Sequence, residues 1–278
     1  MEKAEITKNV RENYAGVVKQ SSPCCAPGTN AASCGCSSAA PSVSKAIGYS
    51  DQDMASVPDG ANLGLGCGNP IALASLKEGE VVLDLGSGGG FDCFLASQKV
   101  GATGKVIGVD MTPEMLDRAR ENVRKGDYKN VEFRLGEIEN LPVADNYVDA
   151  IISNCVINLS VDKPRVFSEA FRVLKPGGRV MVSDIVLLQA LPEFLKNSVE
   201  AYVSCVAGAM RIDDYVNTIR RAGFKDVRIV EETPFPIDDI VSDPAAQRII
   251  KEMNISETQV KQFANSILSV RVQAKKAA

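Results

Sequence analysis

The 278-residue sequence contains no histidine and no tryptophan, and aromatic residues make up only 5% of it. Histidine is the side chain that enzymes use most often as a general acid or base near neutral pH. Its absence removes the usual general base and narrows the reactions that the chain can catalyse.

Long apolar runs and basic stripes are also absent from the sequence. No stretch approaches the roughly 20 apolar residues of a membrane span, and the segment Met1 to Glu5 lacks the apolar core of a signal peptide. The formal net charge is −4, so binding to nucleic acid or to an anionic membrane surface is not indicated. With 45% apolar residues the chain can form a substantial core. We expect a globular cytoplasmic protein.

Eight cysteines are present, which in the cytoplasm indicates ligands, redox partners or core packing rather than a disulfide framework. Four of them, Cys24-Cys25 and Cys34-Gly35-Cys36, lie in a segment rich in Ser, Ala, Gly and Pro that runs from about 19 to 60. Neither pair has the Cys-x-x-Cys spacing of a structural zinc site. Because the segment has few large apolar residues, we predict a mobile, thiol-rich arm whose cysteines are either functional or incidental.

A glycine-rich corner follows the apolar, strand-length run that ends at Leu85, and the helix-compatible segment Phe91 to Val100 follows the corner. Its glycines stand at 86, 88 and 90, so Phe91 occupies the third glycine position of the dinucleotide pattern Gly-x-Gly-x-x-Gly. A hydride-transfer site is therefore disfavoured. Glycines at such a corner let the backbone approach a ligand and leave the N-terminus of the next helix facing it.

Two further strand ends carry polar groups suited to a nucleoside. The run Lys105 to Val109 ends in Asp110, and an acidic residue about 20 positions after the corner can accept hydrogen bonds from both ribose hydroxyls. The run Val131 to Leu135 leads into Gly136-Glu137-Ile138-Glu139, a loop able to sandwich an adenine ring and accept from its amino group. Taken singly, each loop residue is equally compatible with a surface turn.

Alternating strands and helices predict an α/β fold with a doubly wound, mostly parallel seven-stranded sheet. In such a sheet the ligand lies beyond the carboxyl ends of the strands at the switch point, here between the first and fourth strands. The predicted strands are the run ending at Leu85, 105–109, 131–135, 148–153, 179–186, 227–230 and 267–274, and the predicted helices are 91–100, 114–125, 165–174, 213–222 and 244–264.

We divide the chain into three regions. Residues 1–66 hold an N-terminal helix and the Cys-rich arm, 67–186 form the Rossmann-like core, and 187–278 contain a helical insertion at 192–210 and the elements that complete the sheet. The N-terminal helix is expected to pack on the core through one apolar stripe, formed by Ile6, Val10, Tyr14 and Val17.

The other four cysteines fall at distinct places in this plan. Cys67 is flanked by glycines in a loop and is expected to be accessible, whereas Cys93 is expected to pack in the core. Cys155 follows the fourth strand, and Cys205 lies in the insertion. Core packing is the ordinary interpretation of these two as well. However, the loop with Cys67, the strand end with Cys155 and the insertion with Cys205 can all converge over one crevice.

The glycine corner together with Asp110 resembles the S-adenosylmethionine site of Rossmann-like methyltransferases. Over roughly residues 5 to 233 the chain is similar to the arsenite S-adenosylmethionine methyltransferases, and the run Ser153 to Leu159 is the most specific part of the resemblance. The motifs that carry it are Gly66-Cys67-Gly68, Leu83-Asp84-Leu85-Gly86-Ser87-Gly88-Gly89-Gly90-Phe91-Asp92-Cys93, Gly108-Val109-Asp110-Met111-Thr112, Ser153-Asn154-Cys155-Val156-Ile157-Asn158-Leu159, and Cys205 ahead of Gly208-Ala209.

This resemblance implies that Cys67, Cys155 and Cys205 bind trivalent arsenic. A fourth family cysteine near the N-terminus pairs with the loop cysteine during turnover, and Cys36 or Cys34 has the nearest spacing to Cys67. The cofactor site is expected to consist of Asp84, Gly86, Ser87, Gly88, Asp110, Met111, Gly136, Ile138, Glu139 and Asn154.

The chemistry agrees with these residues. Trivalent arsenic is soft and thiophilic, so three thiolates suit it, and its lone pair stays free to attack a sulfonium methyl held in line at about 3 to 3.5 Å. Such a nucleophile loses no proton, so no histidine is needed. Methylation oxidises arsenic formally, and a disulfide between Cys67 and Cys36 or Cys34 returns it to the trivalent state. The expected substrates are arsenite or its thiol conjugates, with glutathione or thioredoxin as reductant.

Two alternatives stay open. A methyltransferase acting on carbon or oxygen of a small metabolite, such as a quinone or a sterol, shares the whole cofactor site. A non-enzymatic metalloid-binding or sensing protein uses the same three thiols. Methyltransferase activity that is retained after Cys155 and Cys205 are replaced would indicate the first alternative. A failure to bind and consume S-adenosylmethionine when arsenite is added would indicate the second.

Overall fold

The structure, a computed structural model, describes residues 2–20, 39–70, 75–191, 202–203, 205–234 and 265–278. The four arm cysteines, most of the predicted insertion and the predicted helix 244–264 lie outside the described residues.

Seven strands form one sheet in the order β3-β2-β1-β4-β5-β7-β6. The first five strands pair in parallel, and β7 runs antiparallel to both of its neighbours. The first strand therefore pairs with β2 on one side and with β4 on the other, which places the switch point where the sequence predicted it. The strands are β1 Val81–Leu85, β2 Lys105–Asp110, β3 Val131–Leu135, β4 Val148–Asn154, β5 Leu174–Leu187, β6 Lys225–Pro234 and β7 Ile267–Lys275.

Helices cover both faces of the sheet, which explains why β1 is apolar nearly throughout. On one face, the helices that follow β1 and β2 bury Phe94 and Leu116 in the core. On the other face, two later helices bury Phe167 and Tyr215. The described helices are α1 Lys3–Gln20, α2 Ala39–Ala46, α3 Asp51–Ala55, α4 Phe91–Val100, α5 Pro113–Gly126, α6 Lys163–Val173 and α7 Ile212–Arg221.

The N-terminal helix packs as its apolar stripe predicted. Val10 is 1% exposed, and Ile6 and Tyr14 contact the same apolar cluster as Cys155 and Cys205. The helix therefore reaches the edge of the sheet where the parallel strands end.

The junction between α6 and β5 differs from the prediction. The sequence predicted a helix through Leu174 and a strand that begins at Arg179, but the helix stops at Val173 and β5 already begins at Leu174. Leu174 is fully buried and pairs with Val148, and a register shift before Ala150 accommodates the extra residues. Burial of Leu174 against β4 thus takes precedence over the turn-forming glycines.

Within the described parts of the chain, each helix is too short or too polar to cross a membrane.

Replacing Glu169 is expected to destabilise the fold, because its carboxylate joins α6 to the loop that borders the sheet edge. Its side chain is 5% exposed, pairs with Arg172 at 2.8 and 2.7 Å, and accepts from the backbone N–H of Leu141 at 2.9 Å. We expect Glu169→Ala to lower the free energy of unfolding by about 2 to 3 kcal/mol, a typical cost for a lost charged hydrogen-bonding group. Urea denaturation near neutral pH measures the change.

The pH dependence of this effect is fixed by the hydrogen bond from Arg172, which lowers the pKa of Glu169. The stabilisation is therefore complete above the ordinary glutamate pKa and is lost as the pH falls through the folded-state pKa. Wild type and Glu169→Ala should converge in stability in acid. Glu121, in an exposed pair with Lys125, is the control, and Glu121→Ala should change stability little. Equal losses in the two variants would contradict this account.

Candidate active site

A cavity of about 400 Å³ opens at the carboxyl ends of β1, β2 and β4. All ten residues predicted for the cofactor site line it, and so does Cys155. Cys67 and Cys205 lie behind this wall rather than on it. The cavity has the size of an ordinary small-molecule or cofactor site. The ten residues are Asp84, Gly86, Ser87, Gly88, Asp110, Met111, Gly136, Ile138, Glu139 and Asn154.

The glycine corner needs glycine for steric reasons. Gly86 has φ +68°, and a Cβ on it would lie 2.3 Å from a methyl carbon of Val156. The N–H groups of Gly86 and Ser87 both donate to the Val109 carbonyl, at 2.8 and 3.0 Å. The corner is thereby pinned between β2 and the segment after β4, with its backbone exposed to the cavity.

Asp110 is held at the end of β2 by backbone donors. Its two carboxylate oxygens accept from the N–H groups of Gly88 at 2.9 Å and Thr112 at 2.8 Å. Burial raises its pKa, although these hydrogen bonds act in the opposite direction. Each carboxylate oxygen has a further lone pair, so the group can accept from a pair of ligand hydroxyls while it stays fixed.

Two buried carboxylates, Asp84 and Asp92, lie in the wall of the cavity. Asp92 accepts from the Tyr49 hydroxyl at 2.6 Å, and Asp84 accepts from the Cys93 thiol at 3.2 Å. Burial raises the pKa of Asp84 well above its ordinary value and that of Asp92 to about 6. Among the described residues no basic side chain pairs with either carboxylate, and buried carboxylates of high pKa in this state favour a cationic ligand group.

Asp92 and Tyr49 were missed in the sequence prediction. The one local signal was an acidic residue between Phe91 and Cys93 in the first turn of an otherwise apolar helix. Cys93 itself is 0% exposed, as predicted for a core-packing cysteine.

Asn154 joins the cavity to the loop that carries Cys67. Its Nδ2 donates to the Gly68 carbonyl at 2.8 Å, and its Oδ1 accepts from the Cys67 N–H at 3.0 Å. A Cβ on Gly66 would lie 2.6 Å from the same amide. The loop therefore fits against Asn154 only because glycine precedes Cys67.

The prediction that Cys67 is accessible was wrong, since the residue is only 7% exposed. The flanking glycines serve close packing instead of exposure: a Cβ on Gly68 would lie 2.8 Å from the Ser183 side chain. The Cys67 thiol lies 3.6 Å from the Ser183 carbonyl, which also accepts from the Cys155 N–H at 2.8 Å. One residue of β5 therefore anchors both cysteines.

Cys67, Cys155 and Cys205 come together in a group that we call the thiol cluster. Cys155 lies close enough to both of the others for each of them to shift its pKa, and the Cys205 thiol donates to the Cys155 carbonyl at 3.0 Å. All three are buried, with 7%, 6% and 5% exposure. Loop, strand end and the segment at 205 thus meet at the edge of the cavity.

The thiol cluster is polar, buried and locally strained. Burial raises the pKa of Cys67, and the hydrogen bond with Cys155, followed by burial, raises that of Cys205. Cys155 has φ +61° and Cys205 has φ +64°, a conformation that costs a non-glycine residue about 1 to 2 kcal/mol. Such strain often accompanies functional sites.

The sheet order, the glycine corner and the acidic end of β2 define a class I, Rossmann-like methyltransferase. Residues 76–230 match a family described as a methyltransferase domain, which covers more than half of the chain.

The comparisons also define the particular family. A solved structure titled CrArsM, an arsenic(III) S-adenosylmethionine methyltransferase from Chlamydomonas reinhardtii, is 33% identical with a TM-score of 0.62, covering 85% of this chain and 73% of that one. The arsenite methyltransferase of Halobacterium salinarum is 50% identical over 91% of this chain and 66% of its own length. The human protein of the same name is 35% identical over 82% of this chain and 60% of its own length. The chain belongs to the arsenite methyltransferase family. It spans about two thirds or less of the length of these two curated relatives.

Proposed function

We propose that the protein transfers methyl groups from S-adenosylmethionine to trivalent arsenic bound by Cys67, Cys155 and Cys205. The observation that carries this proposal is the contact between the two halves of the site. Asn154 lines the cavity and holds the Cys67 backbone, and the next residue, Cys155, belongs to both the cavity wall and the thiol cluster. A donor in the cavity and arsenic on the thiols are therefore neighbours.

The cavity residues fit S-adenosylmethionine. Asp110 is fixed so that it can accept from the ribose hydroxyls, and the 136–139 loop borders the space for adenine. Asp84 and Asp92 supply negative charge near a cationic amino acid portion. When bound, S-adenosylmethionine supplies an electrophilic methyl group on a sulfonium.

The thiol cluster fits arsenite as a substrate. Three thiols replace the three hydroxyls of arsenite, and each thiol proton leaves with a hydroxide as water, so no separate base is required. This accounts for a site without histidine, built from thiols whose pKa is raised. Sulfur ligands are those that soft arsenic prefers, and three of them leave its lone pair free. Burial of the cluster keeps competing water away from the arsenic.

A disulfide step would complete the proposed cycle. Methyl transfer raises the formal oxidation state of arsenic by two, and two thiols that become one disulfide, with loss of two protons, supply two electrons. Cys67 with Cys36 or Cys34 is the proposed pair, and glutathione or thioredoxin would then reduce the disulfide. The arm cysteines lie outside the described residues. The support for this step is its electron balance, because the two electrons that arsenic gains are the two that the thiol pair loses.

Incubation of the purified chain with arsenite, S-adenosylmethionine and a thiol reductant tests the proposal. Chromatographic separation of the arsenic species should show methylated arsenicals formed at the expense of S-adenosylmethionine. Arsenite binding without consumption of S-adenosylmethionine would contradict the proposal and indicate a metalloid-binding protein. Methylation of a quinone or sterol by the Cys155→Ser and Cys205→Ser variants would instead indicate a metabolite methyltransferase.

Gly208→Ala is expected to raise the KM for arsenite without changing the KM for S-adenosylmethionine. A Cβ on Gly208 would lie 1.9 Å from the Asn158 carbonyl oxygen, so the segment that carries Cys205 must move away from the segment after Cys155. Displacements of about 1 Å at a reacting centre can cost about 100-fold, and we expect the KM for arsenite to rise at least about tenfold. Steady-state kinetics with each substrate varied in turn measure the effect.

Gly16→Ala is the matched control, because a Cβ there meets no atom of the described residues within 4 Å and the position lies inside α1. Its kinetics should equal those of the wild type. An unchanged KM for arsenite in Gly208→Ala would show that Cys205 needs no fixed distance from Cys155.

A further inference from the structure

A buried carboxylate that the proposed arsenic chemistry does not use adjoins the thiol cluster. Asp184, on β5, is 0% exposed. One of its carboxylate oxygens and the Sγ atoms of Cys67 and Cys155 all lie within 4.8 Å of one another. Arsenic bound by three sulfurs does not need this carboxylate as a ligand. Burying a carboxylate in the core nevertheless costs free energy.

Fixed donors orient the Asp184 carboxylate. Oδ1 accepts from Asn158 Nδ2 at 2.8 Å and from the Ile185 N–H at 3.0 Å, and Oδ2 accepts from the Tyr215 hydroxyl at 3.0 Å. A carboxylate has about four lone-pair sites, so acceptor capacity remains on the group. It is held in place as a ligand in a preformed metal site is held by its outer hydrogen bonds.

A second observation on the same network indicates a missing polar partner. Asn158 Oδ1 is buried, and no described residue donates a hydrogen bond to it. Its amide contacts Asp184 directly through Nδ2. A buried acceptor left in this state is ordinarily satisfied by water or an ion.

The ligand types favour a thiophilic divalent cation. Two thiolates and a carboxylate are ordinary ligands of Zn²⁺, which binds sulfur at about 2.3 Å and oxygen at about 2.0 to 2.2 Å in tetrahedral geometry. These bond lengths place neighbouring ligand atoms about 3.5 to 3.8 Å apart, so the present separations, which are at most 4.8 Å, need to shorten by no more than about 1 Å. Cys205, whose thiol donates to the Cys155 carbonyl at 3.0 Å, lies beside these three ligands but outside the group whose ligand atoms are within 4.8 Å of one another.

We propose that Cys67, Cys155 and Asp184, with Cys205 adjacent, form a binding site for a divalent thiophilic cation such as Zn²⁺ or Cd²⁺, overlapping the arsenic site. Cys67 and Cys155 lose their protons to solvent on binding, so the cation with two thiolates and one carboxylate has a net charge of −1. Lys163 is buried nearby and donates to the Ser160 carbonyl at 3.0 Å; burial lowers its pKa and the charge of Asp184 raises it, so a protonated Lys163 would offset this charge. Cations of this class should therefore inhibit arsenite methylation competitively with arsenite.

Spectroscopy with Co²⁺ as the probe tests the site in the 278-residue chain with its four arm cysteines changed to serine. This parent should show sulfur-to-cobalt charge transfer and tetrahedral d–d bands, and added Zn²⁺ or arsenite should abolish both. Parent protein without charge-transfer bands, or with bands that survive saturating arsenite, would overturn the proposal. None of these readouts uses S-adenosylmethionine, so they can fail independently of the proposed methyl transfer.

Asp184→Asn separates the two ligand classes. The variant should bind Co²⁺ at least about tenfold more weakly, as expected for loss of a metal-site carboxylate, and should bind arsenite as the parent does, because arsenic needs only the thiols. Cys93→Ala, which changes a buried cysteine outside the cluster, should retain both affinities. Equal Co²⁺ affinity in Asp184→Asn and the parent would remove Asp184 from the site. Unchanged arsenite binding also verifies that the variant is folded.

Discussion

Cys155→Ser is expected to reduce arsenite methylation by more than about 100-fold, since losing a metal ligand should exceed the 10- to 100-fold effect of losing an outer partner. Cys155 is the central member of the thiol cluster because both other thiols shift its pKa and its carbonyl accepts from the Cys205 thiol at 3.0 Å. Serine preserves the size of the side chain and replaces a soft ligand by a hard one, for which arsenic(III) has little preference. Methylated arsenic formed per minute measures the loss.

Binding of S-adenosylmethionine separates a ligand effect from unfolding. Equilibrium dialysis of Cys155→Ser should give nearly the wild-type affinity, because the glycine corner and Asp110 are unchanged. Cys205→Ser should behave likewise, and Cys93→Ala should remain active because Cys93 contacts Asp84 rather than the thiol cluster. Equal loss in all three variants would show that the cysteines only support the fold.

The second large effect is expected at the cofactor end of the site. Asp110→Ala should raise the KM for S-adenosylmethionine by at least about 100-fold, since two hydrogen bonds to a charged acceptor contribute about 1.5 to 3 kcal/mol each and each 1.4 kcal/mol is tenfold. The same change frees the N–H groups of Gly88 and Thr112, which loosens the glycine corner. Initial rates at increasing S-adenosylmethionine measure it.

Asp117→Ala, on the exposed side of α5 with 79% exposure, is the matched acidic control and should leave the KM unchanged. At saturating S-adenosylmethionine, Asp110→Ala should recover much of the wild-type rate, because the thiol cluster is intact. A wild-type KM in this variant would show that Asp110 serves only its own backbone donors.

The parts of the site that sequence alone predicts are those with a local signal. Three glycines at alternate positions after a buried strand predict the corner. The position of Asp110 at the end of the next strand predicts its place in the cofactor site. Strand topology placed Cys155 at the carboxyl end of a strand beside the switch point, whereas the grouping of Cys67 and Cys205 with it was expected from the family resemblance.

Features that depend on distant packing were missed or predicted wrongly. Burial of Cys67 depends on Ser183, more than 100 residues away, which no local pattern contains. Asp184 lies in a strand that is buried on both faces, so no alternation of polar and apolar residues in the sequence distinguishes its carboxylate. The start of β5 at Leu174 was set by pairing with Val148 rather than by the glycines that follow it. Division of the chain at 66 and 186 stays a prediction.

X-ray absorption at the arsenic edge tests the central claim most directly, using the arsenite-loaded chain with its arm cysteines changed to serine. We predict three sulfur neighbours around arsenic in this chain, and two sulfurs with one oxygen after the additional change Cys205→Ser. Two or fewer sulfurs in the first sample, or an unchanged number after Cys205→Ser, would contradict the claim that Cys67, Cys155 and Cys205 hold one arsenic atom.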